Sequence, residues 1–162
     1  LHEPHHLAAV VAACRSLGRR VILITPQARH GFGPEHRDVF ATRYVPFRQL
    51  LPRIVALVHH AGTGTTAAAL RAGVPQVLVP TIFNQPDTAI RAERLGVGRT
   101  VSPEQFTSER LTQALRNLLE DPRTQYRCRE TAARFGAENE PAQFGADCVE
   151  RLAAARLSQA QG

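Results

Sequence analysis

The chain has 162 residues, with no lysine, no methionine and no tryptophan among them, and only two tyrosines. A chain without lysine cannot carry the Gly-Lys-Ser/Thr of a P-loop, so that class of NTPase is excluded. Aromatic residues make up 6% of the sequence, which leaves few platforms for stacking nucleic-acid bases. The three cysteines, Cys14, Cys128 and Cys148, are odd in number and widely spaced. They form no Cys-x-x-Cys motif for zinc or redox chemistry and read as free thiols in a reducing compartment. There is no Asp-x-Asp pair to hold a divalent cation. No segment approaches the roughly 20 consecutive apolar residues of a membrane span.

What is abundant is arginine, which supplies all 20 cations against 14 acidic residues, for a net charge of +6. These arginines are dispersed among Asp and Glu and form no run, so the charge does not describe a nucleic-acid stripe. It suits an anionic small ligand instead. The length fits a single domain, residues 1–162, with enough apolar content for one core.

Short apolar strands alternate with helices along this domain. A helix is predicted from Glu3 to Leu17 and ends at Gly18, followed by a strand at Val21 to Ile24 and a loop from Pro26 to Asp38. A strand at Val39 to Tyr44 and a short helix at Arg48 to Arg53 lead to an apolar run, Ile54 to Val58, suited to a buried parallel strand. Next come a helix through Leu70 that stops at Gly73, a strand at Gln76 to Val79, a helix from Pro86 to Gly96 and a strand at Gly98 to Val101. Thr107 caps an amphipathic helix with Leu111, Ala114, Leu115, Leu118 and Leu119 on one face, and helices near Thr124 to Phe135 and Ala142 to Leu157 follow. This order predicts an α/β fold, a parallel sheet with helices on both faces. Right-handed crossovers would bring the loops after Thr25, Val45, His59 and Pro80 to one crevice at the carboxyl edge of the sheet.

One of those loops carries chemistry. In Val58-His-His-Ala-Gly-Thr-Gly-Thr-Thr66 a strand turns into a helix N-terminus, where unpaired N–H groups and the helix dipole favour an anion. Gly62 and Gly64 let that anion approach the main chain, and Thr63, Thr65 and Thr66 are expected to add hydroxyl donors and a helix cap. Glycine and threonine before a helix are also ordinary turn and capping residues. Because the position of a third glycine is Ala67, the Gly-x-Gly-x-x-Gly dinucleotide fingerprint is absent. A neutral imidazole at His60 can donate one hydrogen bond, whereas the adjacent His59 points to the other side of an extended chain and reads as structural. The pair has no third ligand at helical or loop spacing, so no metal site is predicted.

From Arg43 to Gly98 the sequence RYVPFRQLLPRIVALVHHAGTGTTAAALRAGVPQVLVPTIFNQPDTAIRAERLGVG resembles the donor-binding half of a GT-B glycosyltransferase. The similarity is to the bacterial type that includes the rhamnosyltransferase of rhamnolipid synthesis and the sterol and natural-product glucosyltransferases. It rests on several elements at once: Tyr-Val-Pro before Leu-Leu, the His-x-Gly-x-Gly-Thr-Thr turn, Ala-Gly-Val-Pro, and Asn-Gln-Pro-Asp. The resemblance implies one Rossmann-like half of a two-domain enzyme, and the missing methionine and the helical opening are read as an excised C-terminal piece whose first strand is absent. It also implies that Tyr44, Val45 and Pro46 receive the nucleotide base, with Val45 offering main-chain groups to the base edge. His60, Gly62, Thr63, Gly64, Thr65 and Thr66 would hold the diphosphate.

Asn84 and Gln85 match the Asp-Gln pair that binds the transferred sugar in the family, with Asn84 lacking the charge of Asp. Here too a polar helix cap beside Pro86 is the plainer alternative. The glutamate that holds ribose hydroxyls in plant relatives aligns with Ala68. The implied substrate is a UDP- or TDP-hexose, with no cofactor, and the implied reaction is inverting transfer to an acceptor hydroxyl. Its base is expected on an N-terminal acceptor-binding domain, so no catalytic residue is assigned to this chain. A cytoplasmic location follows from the resemblance, with a peripheral place at the inner membrane face as a variant. The alternatives are a degenerate, non-catalytic nucleotide-binding or interaction module and half of a sugar-nucleotide 2-epimerase.

Overall fold

The computed structural model describes residues 4–26, 37–135 and 140–159. The chain divides into two compact units, Leu1–Ala132 and Ala133–Gly162. All described strands belong to the first, in the order α1 (Pro4–Ser16), β1 (Val21–Ile24), β2 (Val39–Thr42), α2 (Phe47–Leu50), β3 (Leu57–His59), α3 (Thr63–Ala72), β4 (Gln76–Leu78), α4 (Gln85–Arg94), β5 (Gly98–Thr100), α5 (Ser108–Glu120) and α6 (Pro122–Ala133). The described element of the second unit is α7 (Glu140–Gln159).

Every strand pairing is parallel, as the alternation requires, but the strands fall into two sheets: β1 with β2, and β3 with β4 and β5. Helix α1 packs on both sheets. Its Val10 lies against the cluster around Val21 and Leu23 of β1 and also against the cluster around Val77 of β4.

The core follows the two-residue period of β4. Val77, with Val79 just beyond the strand, packs with Ala13 of α1 and with Leu111, Leu115 and Leu118 of α5. Leu78 faces the other way, into Ala61, Ala89, Ala92, Val97 and Cys128. Both faces of this sheet are therefore covered. Helix α5 is placed by the stripe read from its sequence, and the Thr107 hydroxyl accepts from the Arg110 N–H at 3.3 Å.

Three boundaries differ from expectation. The Ile54 to Val58 strand is displaced: Leu51–Arg53 close a 3-10 turn, Ile54 packs beside Leu51, and β3 starts only at Leu57 and takes in His59. The strand ending at Tyr44 stops at Thr42, whose hydroxyl donates to the Tyr44 carbonyl and takes over the next backbone group. A 3-10 turn at Pro103–Gln105 precedes α5 and was not anticipated. Most of the loop expected from Pro26 to Asp38 lies outside the described residues.

Candidate functional site

Between β3 and α3 the chain reverses through His60, Ala61 and Gly62. Ala61 is fully buried and has φ of 62°, a left-handed conformation that costs a non-glycine residue about 1 kcal/mol. Two hydrogen bonds hold it there. The Ala61 N–H donates to Nδ1 of His59 at 3.2 Å, so the His59 proton sits on Nε2, which donates to Oε1 of Gln76 at 2.9 Å. Burial is the main reason that the His59 pKa is lowered to about 4; the neighbouring His60 lowers it further, while the Gln76 bond opposes the shift.

Gly62 is the N-cap of α3, with φ of −63° and ψ of 137°, and no side chain caps the helix. The expectation of a threonine cap is thus corrected: Thr63 and Thr65 are already inside the first turn, and the hydroxyl of buried Thr66 donates to the Gly62 carbonyl at 3.0 Å. The Thr66 N–H closes the first helical turn on Gly62 at 2.9 Å. The N–H groups of Thr63, Gly64 and Thr65 precede it and have no acceptor among the described residues. No acidic residue stands in this first turn to compete for them.

Glycine is needed at Gly62 for space and not for conformation. A Cβ there would come within 2.7 Å of Nε2 of His60, whose exposed ring lies over the turn. At Gly64 a Cβ would meet no atom of the described residues within 4 Å beyond its chain neighbours and its own helix backbone, so the helix is open on that side. The result is three unpaired amides, an open approach and an imidazole beside them, an arrangement that can receive an anion.

The flanking loops come to the same helix end. Asn84 occupies the N-cap position of α4, but its side chain makes no cap bond, contrary to the plainer alternative considered for it. Instead its amide donates to the Thr63 hydroxyl at 2.6 Å and ties the start of α4 to the start of α3. Oε1 of Gln85 accepts from the Thr81 N–H at 2.8 Å, the Thr81 hydroxyl at 2.9 Å and the Ile82 N–H at 3.2 Å. Gln85 therefore organises its own loop, and its amide nitrogen is the group left to donate. Phe83, the other non-glycine residue with positive φ among the described residues, is 89% exposed at the tip of this loop.

On the remaining side Phe47 packs against Leu51 and Ala69, which brings the Tyr44 to Pro46 segment toward α3. Tyr44 is 75% exposed, and the backbone N–H and C=O of Val45 have no partner among the described residues. Ala68 is part of the apolar packing around Leu51 and Val74, so the helix presents no polar group at that position. Beyond Pro26 the loop after Thr25 lies outside the described residues.

Sequence reasoning identified the turn but missed what shapes it. Neither the left-handed Ala61 nor the His59–Gln76 bond has a local signal, since alanine does not mark such a conformation and Gln76 is 17 residues away. Among the described residues, no group of three or more His, Cys, Asp and Glu could hold a metal ion. No helix among them is long and apolar enough to cross a membrane.

Residues 9–152 match the family model described as the C-terminal domain of erythromycin biosynthesis protein CIII-like proteins. The chain is 41% identical over 133 residues to glycosyltransferase GtfE of Amycolatopsis orientalis, covering 82% of this chain and 32% of GtfE. It is 39% identical over 137 residues to O-mycaminosyltylonolide 6-deoxyallosyltransferase of Streptomyces fradiae, covering 80% of this chain and 31% of that enzyme. Among solved structures it resembles glycosyltransferase VinC in complex with DTDP, with a TM-score of 0.70 and 30% identity over 78% of this chain and 32% of VinC. The chain thus spans about a third of the length of the curated relatives it matches.

Proposed function

Because the chain belongs to the C-terminal domain family of the erythromycin biosynthesis protein CIII-like glycosyltransferases, we propose that it binds the nucleoside diphosphate of a UDP- or TDP-sugar at the N-terminus of α3. The observation that carries this reading is the row of unpaired amides at Thr63, Gly64 and Thr65, open at Gly64 and flanked by His60. The base would lie along Tyr44 to Pro46 and meet the main chain of Val45. The sugar would lie toward Asn84 and Gln85, whose remaining Oδ1 and Nε2 atoms offer one acceptor and one donor.

In the whole protein the acceptor oxygen would bond to the anomeric carbon as the bond to the diphosphate oxygen breaks, with inversion. A base on an N-terminal acceptor-binding domain would take the acceptor proton, and negative charge would collect on the leaving diphosphate. This chain's part is to stabilise that charge with amides already in place, which need no reorganisation during the reaction. The positive end of α3 serves where other enzymes use a metal ion, so EDTA should leave nucleotide affinity unchanged.

Calorimetric titration of the chain with UDP and TDP tests the proposal. Thr65→Ala is expected to weaken binding by about 1 kcal/mol, because its hydroxyl is an optional addition to the backbone amides, and His60→Ala by more, as its ring meets the charged group directly. The engaged amide of Asn84 and the apolar surroundings of Ala68 favour one competing reading, a degenerate module. Such a module should bind neither nucleotide.

A further inference from the structure

The His59–Gln76 pair lies beneath the turn and belongs to none of the roles above. Both residues are buried, at 5% and 0% exposure, in the interior of the β3–β4 pairing. An apolar pair of this size would normally pack there at less cost, because Nε2 of Gln76 is buried with no partner among the described residues. The orientation of Gln76 is nevertheless fixed. Nδ1 of His59 accepts from Ala61, so Nε2 carries the proton and needs an acceptor, which Oε1 of Gln76 supplies. Turning the amide over would set donor against donor. The arrangement keeps an orphaned N–H in the core in order to hold one histidine tautomer, and that tautomer holds Ala61.

Ala61 decides the direction in which the chain leaves β3. Its left-handed conformation comes directly before Gly62, whose carbonyl accepts the first helical bond of α3 and the Thr66 hydroxyl. The bond from the Ala61 N–H to the side chain two residues back has the connectivity of an Asx-turn, with an imidazole nitrogen in the place of the carboxamide oxygen. We infer that His59 and Gln76 are positioning residues which, by locking Ala61 in its left-handed state, aim the free amides of Thr63 to Thr65 at the donor diphosphate. This rests on the diphosphate reading of the turn. It extends the site to two residues that touch no ligand.

Three variants with two readouts test it. Carbon chemical shifts of Ala61 report whether its backbone is left-handed, and calorimetry with UDP reports binding. His59→Phe fills the space but cannot accept from Ala61; it should move Ala61 to negative φ and lower UDP affinity about ten-fold, as one misplaced charge-assisted contact would. His59→Asn can accept from the Ala61 N–H through Oδ1, and should restore both the shift and most of the affinity. Gln76→Met removes the acceptor that selects the tautomer and should give an intermediate result. A purely structural role would lower the melting temperature in all three without separating Phe from Asn in affinity.

Persistence of the left-handed shift in His59→Phe overturns the inference, and so does wild-type affinity in a variant whose Ala61 has moved. If the unaltered chain binds neither UDP nor TDP, the diphosphate reading fails and the aiming role fails with it. The Ala61 shifts still decide, independently, whether the pair sets the turn.

Discussion

Replacing Gly64 by alanine adds one methyl group at the second residue of α3, where among the described residues it meets no atom within 4 Å beyond its chain neighbours and its own helix backbone. The backbone there is ordinary helix, so the substitution causes no conformational strain. It also removes the entropic penalty of a helical glycine. At a first-turn position the gain should be about 0.5 kcal/mol, which would raise the melting temperature by roughly 1–2 °C. Because a helical Cβ is tilted toward the N-terminus, the same methyl would stand in the path of a diphosphate approaching the free N–H groups. Holding an anion away from one of them forfeits a hydrogen bond to a charged group, about 1.5–3 kcal/mol, or a loss of roughly ten-fold to a hundred-fold in affinity. Calorimetric titration with UDP at a single ionic strength, beside thermal melts, measures the two effects together; fixing the salt matters because such contacts are screened. Unchanged affinity in a protein that is as stable or more stable would show that no ligand approaches the helix at Gly64. A lower melting temperature would show that glycine serves the fold there, against the open space around it.

Three further outcomes are expected. Gly62→Ala should leave the fold intact, since φ of −63° suits alanine, but a Cβ 2.7 Å from Nε2 must push the His60 ring aside, and NMR should show the imidazole displaced and UDP binding weakened. Gly98→Ala should be the destructive glycine change, because its Cβ would meet Cδ1 of Leu78 at 2.6 Å and the Gln76 carbonyl at 3.1 Å; a loss of about 1–3 kcal/mol in urea unfolding is expected. Acid should weaken the fold through His59, whose pKa falls from 6.5 to about 4 on folding. The unfolded chain binds that proton first, so the contribution of His59 is complete above its unfolded value and is lost as the pH falls toward the folded one. Between pH 7 and pH 5 this amounts to about 2 kcal/mol, and the stability of the non-titrating His59→Asn variant should be flatter with pH by that amount.

The sequence alone determined the kind of fold and the place of the turn. Short apolar runs, Gly73 and Pro75 after one helix, and the Leu111 to Leu118 stripe of another specify helices and parallel strands through local periodicity, and the glycine-spaced threonines mark a helix N-terminus. What it could not determine depends on residues distant in the chain. His59 and Gln76, 17 positions apart, meet only once β3 and β4 are in register, and Asn84 reaches Thr63 across 21 positions only once α3 and α4 are packed. The same holds for the hydroxyl of Thr66, which the sequence offers to a ligand and the folded turn assigns to the Gly62 carbonyl. Which strands pair with which is likewise a property of tertiary packing, and no single segment encodes it. Local propensity fixes which groups are present at the end of β3; tertiary packing fixes which of them remain free to bind.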